Sequence, residues 1–185
     1  MIPRTLVWAV LLLGLVASVS CGGDDGADVA LPPLPTGWEW YVSSQHGYRV
    51  GYPETWDKDT RPAFGLTSFV EPSTGVGIHI GVGATRQTNL TTYLEANKIS
   101  TAEGATYLHE GPITINGVQG FELILTLPSE FYGRIFRPGI MKHRQVVFLS
   151  RGKAYVMTAT AFDDEYNEYS DIFDSFVASF IIPKQ

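Results

Sequence analysis

A stretch near the C terminus carries the pattern that most constrains the fold. From Tyr166 to Phe180 the apolar residues recur at the spacing of one face of an α helix. Asp163, Asp164 and Glu165 precede it, where carboxylates favour the exposed N–H groups and the positive end of a helix dipole. The stripe consists of Tyr166, Tyr169, Ile172, Phe173, Phe176, Val177 and Phe180. Such a stripe must be buried against another element, and we therefore expect this helix to close the core.

Upstream of this helix the sequence favours strands. From Trp38 onward, short runs of β-branched and aromatic residues alternate with turn residues. One interruption is helical, because Leu90, Tyr93 and Leu94 fall on one helix face. The predicted strands lie near 38–43, 47–52, 65–70, 76–83, 105–115, 118–127, 141–149 and 153–161, with the helix over about 89–99.

Two turns indicate how the strands pair. Asn116-Gly117 is a residue pair that tolerates positive φ at both centres of a type I′ hairpin turn, and Arg151-Gly152 stands at a second hairpin. After the first turn, large apolar residues occupy alternate positions, which predicts a strand with one buried face. They are Phe121, Leu123, Leu125 and Leu127. We therefore predict an α+β fold, in which helices cover an antiparallel sheet.

The start of the chain predicts export. Arg4 is the one charge before an apolar run from Leu6 to Val16, and small residues follow up to Ser20. This is the layout of a secretory signal peptide, and the run is shorter than the roughly 20 residues that span a bilayer. Cys21 is the single cysteine of the chain and comes directly after this segment. The arrangement resembles a bacterial lipoprotein precursor.

The resemblance to lipoproteins implies that Cys21 is lipidated and becomes the mature N terminus. Lipoproteins usually have Leu three positions before the cysteine, where this chain has Ser18. The alternative is an ordinary cleaved signal followed by an incidental cysteine. Residues 22–37 are rich in Gly, Asp and Pro without apolar periodicity, which is typical of a solvated linker. The predicted organisation is a lipoprotein signal peptide over 1–20, lipidated Cys21 with a flexible linker over 21–37, and one folded domain over 38–185.

Two parts of this domain resemble a known family. The opening Tyr41–Trp56 has a Gly-Tyr strand followed by Tyr-Pro-x-x-Trp. The closing stretch from Arg151 has a Gly-x-x-Tyr strand, a short acidic link and a helix that ends in Ser-Phe. Both are similar to the PsbP-like family, named for the extrinsic subunit P of photosystem II, and the resemblance implies an α/β/α sandwich. It implies no activity, since members include photosynthetic subunits, a Ran-binding nuclear-transport factor and bacterial lipoproteins, and no catalytic residues carry over.

The sequence offers few residues for catalysis. Its histidines, His46, His79, His109 and His143, lack the spacing that places two imidazoles on one metal ion. No GxSxG nucleophile motif occurs, and Cys21 is assigned to lipidation. The Gly-rich strand over 75–83 either lets a helix or another backbone approach closely or leaves a shallow ligand groove beside His79. We therefore predict no catalytic residues, no metal site, no cofactor and no enzymatic activity.

One charge asymmetry stands out in the domain. From Phe131 to Lys153 the sequence has six basic residues and no acidic one, whereas Asp163 to Asp174 has six acidic residues and no basic one. The two segments either lie close enough to neutralise one another or form a dipolar domain whose basic side meets an anionic partner. Aromatic residues interleave with arginines after Pro128, and both types dominate binding hot spots. The candidate partner-binding residues are Phe131, Tyr132, Arg134, Phe136, Arg137, Lys142 and Arg144.

These features predict a non-catalytic protein that is held at a membrane. We expect an exported lipoprotein on the extracytoplasmic face of the cell membrane, which acts as a binding or assembly-support module. The expected partners are the membrane, through the lipid anchor, and an envelope protein or anionic surface. A net charge of −6 disfavours nucleic acid, because that binding needs Lys and Arg to neutralise phosphates. The alternative functions are a carrier for a small molecule or lipid and, third, a hydrolytic enzyme.

Overall fold

The computed structural model describes residues 31–97, 104–129 and 137–182. Within these ranges the chain forms nine strands, two α helices and a short 3₁₀ turn over Pro62–Phe64. The strands are β1 (Trp38–Val42), β2 (Arg49–Pro53), β3 (Asp57–Arg61), β4 (Leu66–Val70), β5 (Gly77–Ala84), β6 (Thr106–Ile115), β7 (Val118–Pro128), β8 (Ile140–Ser150) and β9 (Lys153–Phe162). The helices are α1 (Leu90–Asn97) and α2 (Tyr166–Ser179). Neither helix in this part of the chain is long and apolar enough to cross a bilayer.

Seven of these strands form one antiparallel sheet, in the order β3-β4-β5-β9-β8-β7-β6. β1 and β2 form a separate two-stranded ribbon, which is joined to the end of α2. There Arg49 pairs with Ile181, and Ser179 Oγ accepts a hydrogen bond from the Gly51 amide at 2.9 Å. The strands and helices predicted from the sequence are confirmed, with small shifts at their ends.

β3 is the described strand that the sequence pattern did not predict. It pairs with β4 from Asp57 opposite Val70 to Arg61 opposite Leu66, and all five of its residues are exposed. Its sequence, Asp-Lys-Asp-Thr-Arg, has no apolar alternation because the strand lies at an edge of the sheet. Charged side chains suit such an edge, since they discourage pairing with another chain.

One face of the sheet is buried under α2. The helix presents Phe173 and Phe176, whose side chains are fully buried. Phe176 meets Phe69 of β4 edge to face, with 5.4 Å between ring centroids, and Phe180 stacks on Phe148 of β8 at 5.9 Å. The strands add Ile78, Ile80, Val146, Tyr155 and Met157 to the same cluster. The prediction that this helix closes the core is confirmed.

The other face of the sheet has its own buried side chains. Because alternate residues of a strand point to opposite faces, the register of β7 with β8 places this set away from α2. Its strand members are Leu123, Leu125, Leu127, Met141 and Val147. Leu94 of α1 is also buried, and α1 lines a cleft together with Pro112 and Phe121 of this face. Helices on both faces form the α/β/α sandwich that the sequence predicts.

The turn between β6 and β7 has the predicted backbone conformation. Asn116 and Gly117 have φ values of 50° and 78°, as a type I′ turn requires. The Asn116 side chain also donates hydrogen bonds to the carbonyl oxygens of Ala178 at 3.1 Å and Phe180 at 2.8 Å. The hairpin is thus joined to the C-terminal end of α2, where backbone carbonyls lack helical donors.

Candidate functional site

The predicted site residues fall partly outside the described ranges. Phe131, Tyr132, Arg134 and Phe136 lie between residues 129 and 137, and the signal peptide and Cys21 lie before residue 31. Their assignments stay predictions. The three remaining basic residues of the candidate surface are described, and each has a carboxylate neighbour.

Arg137 lies beside the N-terminal end of α2. Its Nη2 donates to Asp164 Oδ1 at 2.9 Å and to Glu165 Oε1 at 2.8 Å. Its guanidinium carbon stands 3.9 Å from the ring centroid of Phe162. The hydrogen bond between Arg137 and Asp164 lowers the pKa of Asp164 and raises that of Arg137. Two of the acids that precede α2 therefore hold this guanidinium, and the N-cap residue Glu165 makes no side-chain hydrogen bond to the helix amides.

Lys142, on β8, also lies beside an acidic and an aromatic residue at the start of α2. Its Nζ is 4.0 Å from Asp163 Oδ1 and 4.5 Å from the centroid of the Tyr166 ring. An ammonium over an aromatic face is attracted by the ring quadrupole, so Lys142 has two partners at the start of α2.

Arg144 forms the most buried of these pairs. Its Nε donates to Glu122 Oε1 at 2.7 Å, and its Nη1 donates to Asp174 of α2. The side chains of Arg144 and Glu122 are each 14% exposed, whereas that of Asp174 is 65% exposed. The described basic residues of the candidate surface are thus neutralised within the domain, which is the first of the two alternatives that the sequence leaves open.

A cleft with both polar and apolar lining lies between the β1–β2 hairpin and strands β3 and β4; we call it the hairpin cleft. Its volume is about 360 Å³, which is in the range of small-ligand sites. Its lining includes Ser43, Ser44, Gln45, His46, Lys58 and Thr60. Among the described residues that line the cleft, Lys58 carries a charge and none is a carboxylate.

Lys58 is held against aromatic rings beside this cleft. Its Nζ donates to Tyr52 Oη at 3.0 Å and stands 5.7 Å and 5.3 Å from the ring centroids of Tyr41 and Tyr52. Tyr52 in turn donates to Glu39, which lies outside the cleft. The hydrogen bond to Tyr52 raises the pKa of Lys58, so the ammonium is charged. The ion pairs of the described residues do not include Lys58.

His46 stands at the hairpin end of the cleft. Its amide donates to Ser43 Oγ at 3.3 Å, and its carbonyl oxygen accepts from Tyr155 Oη at 3.1 Å. Both ring nitrogens are buried, and neither has a hydrogen-bond partner among the described residues. Burial lowers the pKa of His46, and the nearby charge of Lys153 lowers it further. A neutral imidazole has one donor and one acceptor, so this ring holds two hydrogen-bonding groups that have no partner among the described residues.

A second cleft lies between α1 and the β6–β7 hairpin. Its volume is about 320 Å³, and its lining includes Leu90, Leu94, Pro112, Ile113 and Phe121. No charged residue lies in the described lining. Thr91, Thr114 and Gln119 supply its polar side chains, so this cleft offers neutral hydrogen-bonding groups beside its apolar surface but no charge to select an ionic ligand.

A stripe of hydrogen-bonded polar residues crosses the face of the sheet opposite α2. His79 Nδ1 lies 2.9 Å from Ser68 Oγ, and His143 Nδ1 lies 2.9 Å from Thr160 Oγ1. Burial lowers the pKa of both imidazoles, and burial together with the charge of His79 brings the pKa of His143 to about 4. In the part of the chain that the structure describes, no three His, Cys, Asp or Glu side chains converge as a metal site would require.

The sequence pattern did not identify the hairpin cleft. Lys58 lies on β3, which has no apolar alternation, and His46 lies in the turn between β1 and β2, where a polar residue is unremarkable. The two residues are brought together by the tertiary structure, and their spacing in the sequence matches no binding motif. The alternation of Asp57 and Asp59 with Lys58 and Thr60 is the one signal that could have indicated a strand there.

Comparison with known proteins identifies the fold without a sequence family. No protein-family model matches the chain, and no curated protein matches it. The cyanobacterial PsbP (CyanoP) of Synechocystis sp. PCC 6803 is similar, with a TM-score of 0.57 and 15% identity over 88% of this chain and 99% of that one. PA94, a Pseudomonas aeruginosa protein of unknown function, gives a TM-score of 0.54 at 14% identity over 80% of this chain and 98% of that one. The Saccharomyces cerevisiae Ran-binding protein Mog1p gives 0.54 at 8% identity, over 80% of this chain and 96% of that one.

These similarities establish the architecture of the domain. The α+β fold, with its seven-stranded antiparallel sheet and the two described helices, is that of PsbP and Mog1p. The resemblance to PsbP-like proteins seen in the sequence is therefore confirmed at the level of the fold. At such low identity the likeness concerns the fold alone, and Ran binding is a property of Mog1p.

Proposed function

We propose that this protein is a lipid-anchored, extracytoplasmic binding module without catalytic activity. One observation carries the proposal: Cys21, the single cysteine, stands directly after a signal-like apolar segment and directly before the linker and the folded domain. Lipidation at this residue would fix the N terminus in the membrane, because two or three acyl chains anchor a protein stably where one does not. The domain would then be presented on the outer side of that membrane.

The linker sets how far the domain can act from its anchor. Residues 22–37 separate Cys21 from the start of β1 at Trp38, but the compact domain begins at Pro32. The Trp38 amide donates to the Pro35 carbonyl oxygen at 3.3 Å, and the Glu54 amide donates to that of Gly37 at 2.9 Å. A flexible chain of ten residues, the length from 22 to 31, has a typical end-to-end distance of roughly 16–19 Å. The domain can therefore reach either its own membrane or an envelope protein beside it.

The segment from Phe131 to Arg144 remains our candidate surface for an envelope protein or anionic surface. Arg137, Lys142 and Arg144 have carboxylate neighbours at α2, so an anionic partner must compete with those ion pairs. A protein partner that supplies both aromatic contacts and carboxylates suits this segment better than a simple anionic surface. Its carboxylates can replace the ion pairs within the domain, and its aromatic contacts add binding free energy.

The hairpin cleft favours a second function, that of a carrier for a small molecule. It combines a ligand-sized volume of about 360 Å³ with a charged Lys58 and an imidazole, His46, that has no hydrogen-bond partner in the described part of the chain. Convergent polar groups of this kind orient small ligands. The two functions are compatible, because the cleft lies on β1–β4 and the candidate surface on and before β8.

Metabolic labelling tests the anchor. Cells that express the full chain are grown with labelled palmitate, and the protein is isolated and assayed for the label. We expect label in the parent and in Ser20→Ala, and none in Cys21→Ala. Equal labelling of the parent and Cys21→Ala, or no label in either, would show that Cys21 is not a lipidation site.

A capture experiment tests the candidate surface. The parent is compared with a variant in which Arg134, Arg137, Lys142 and Arg144 are changed to Ser, for recovery of envelope proteins and for binding to anionic vesicles. Arg49→Ser and Arg61→Ser, combined, serve as the control for basic residues elsewhere. We expect the fourfold variant to lose envelope-protein capture while the control retains it. Equal capture by both variants, with circular dichroism unchanged, would remove this segment from the proposal.

A further inference from the structure

We propose that the hairpin cleft binds a small organic oxyanion, a carboxylate or phosphate whose carbon skeleton also bears hydroxyl groups. The inference rests on the carrier function proposed above and names its ligand. It follows from three properties of the cleft: its charge, its unused hydrogen-bonding groups and its fixed walls.

The charge in the cleft favours an anion. Lys58 is the charged residue among the described lining, which contains no carboxylate. The carboxylate of Glu39, outside the lining, is linked to Lys58 through Tyr52 and offsets part of its charge. An ammonium has three N–H donors, of which the described contacts use one, to Tyr52. The other two can bind an oxyanion, and hydrogen bonds between opposite charges are stronger than neutral ones. Lys153, whose charge acts on His46, adds positive potential at the hairpin end.

The unused groups of His46 specify what else the ligand carries. Buried polar atoms nearly always have a hydrogen-bond partner, yet neither ring nitrogen of His46 has one among the described residues. The N–H of the neutral ring can donate to an oxygen of the anion. The other ring nitrogen needs a donor, which a carboxylate or phosphate oxygen cannot supply and a hydroxyl group can. Both nitrogens are covered in this structure, so a hydroxylated oxyanion satisfies them once the His46 ring turns toward the cleft.

The walls of the cleft are held in position without a ligand. Within the hairpin, the Ser43 amide donates to the Tyr48 carbonyl oxygen at 2.9 Å, and the Gly47 amide donates to the Ser43 carbonyl oxygen at 2.8 Å. Tyr48 Oη donates to Thr67 Oγ1 of β4 at 2.7 Å, which joins the two walls. A site that is already ordered loses little conformational freedom on binding.

The size and polarity of the cleft exclude other ligands. A volume of about 360 Å³ suits a molecule of metabolite size rather than a polymer. A lipid chain would cover the Lys58 ammonium and the polar side chains of Ser44, Gln45 and Thr60, which are exposed to water, without replacing their hydrogen bonds. The cleft therefore fits a small polar anion and not the acyl chain of a lipid.

Calorimetric titration of the full chain in non-ionic detergent tests the proposal. The probes are inorganic phosphate, glycerol 3-phosphate and citrate, with glycerol as the uncharged comparison. The variants are Lys58→Met and His46→Phe, and the matched control is Arg61→Met. Arg61 lies on the same strand, its side chain is 63% exposed, and its loss removes the same charge.

We expect the parent to bind glycerol 3-phosphate or citrate more tightly than phosphate and to leave glycerol unbound. Lys58→Met should weaken that binding by about tenfold, as expected for the loss of one charge-assisted hydrogen bond, and His46→Phe should weaken it severalfold. Arg61→Met should bind as the parent does. Thermal unfolding checks that each variant is folded, and His46→Phe keeps the test open if Lys58→Met does not fold.

Several outcomes would overturn the proposal. If no probe binds the parent, the cleft is not an oxyanion site. Equal weakening by Lys58→Met and Arg61→Met would assign the effect to overall charge, and phosphate binding as tightly as glycerol 3-phosphate and citrate would remove the hydroxyl groups from the ligand. Palmitate labelling at Cys21 is independent of these titrations, so failure of the cleft and failure of the anchor are distinguishable.

Discussion

The two faces of the sheet bury their side chains by different physical means. Under α2 the buried groups are mainly rings and aliphatic chains, with Phe176 at 0% exposure in their midst. On the other face, between β4 and β8, the half-buried imidazole of His79 and the buried one of His143 are hydrogen-bonded to the hydroxyl groups of Ser68 and Thr160. The first face therefore depends on filled volume, whereas the second, beside its buried leucines on β7, depends also on satisfied hydrogen bonds and on the neutral state of its histidines.

The largest effect is expected on the face under α2. Phe176→Ala removes a ring that packs against Phe69 at 5.4 Å, and the cavity it leaves should lower the free energy of unfolding by about 3–5 kcal/mol. Phe64→Ala is the control, because Phe64 is 82% exposed, and it should change stability by less than about 0.5 kcal/mol. Urea denaturation measures both. Similar midpoints for the two variants would show that α2 does not close this core.

The stability contributed by the face opposite α2 should depend on pH. The folded pKa of His143 is about 4, below its ordinary value of 6.5, so the unfolded chain takes up the proton first as the pH falls. The contribution of neutral His143 is complete above about pH 7.5 and is lost between about pH 6.5 and pH 4, at a cost of up to about 3 kcal/mol. The lowered pKa of His79 acts in the same direction.

Denaturation at pH 7.5 and at pH 4.5 tests this dependence. His143→Gln keeps hydrogen-bonding groups without the titration, so it should lose less stability than the parent between the two pH values. Phe64→Ala should lose as much as the parent. If His143→Gln and the parent lose the same amount, the histidine does not set the acid sensitivity of this face.

An ion pair interrupts the apolar character of the α2 face. Arg144→Met would leave Glu122, whose side chain is 14% exposed, without its 2.7 Å partner, and should cost about 2 kcal/mol. The double variant Arg144→Met with Glu122→Leu should recover most of that loss, because the carboxylate that remains, Asp174, has a side chain that is 65% exposed and stays hydrated. Recovery measured by urea denaturation would assign Arg144 a structural role, whereas a neutral single variant would leave it available for a partner.

The features that could be predicted depend on patterns in consecutive residues, whereas those that could not depend on residues that are far apart in the sequence. The stripe of α2 and the Asn116-Gly117 turn were predicted because their periodicity and backbone requirements are written in consecutive residues. The hairpin cleft was missed because Lys58 and His46 lie on different elements and line one cleft only in the folded chain. His79 likewise looks like an exposed position of an alternating strand, and its burial depends on what packs over that face.

The smallest predicted effect concerns how the hairpin turn supports the α2 face. Asn116 has a φ of 50° and donates from its side chain to the carbonyl oxygens of Ala178 and Phe180. Asn116→Gly keeps the backbone conformation, because glycine adopts positive φ without strain, and removes those hydrogen bonds. It should lower the free energy of unfolding by about 1 kcal/mol, the usual net value of a hydrogen bond.

Asn116→Asp separates the backbone requirement of this turn from its side-chain contacts. Aspartate also tolerates positive φ, but it replaces the amide donor with a carboxylate that faces the carbonyl oxygens of Ala178 and Phe180. It should therefore destabilise the protein more than Asn116→Gly at pH 7, and the difference should shrink as the carboxylate is protonated near pH 4. If both variants unfold at the same urea concentration as the parent, the turn is held by its backbone alone. The α2 face would then depend on packed rings without support from the hairpin, which would widen its contrast with the hydrogen-bonded face.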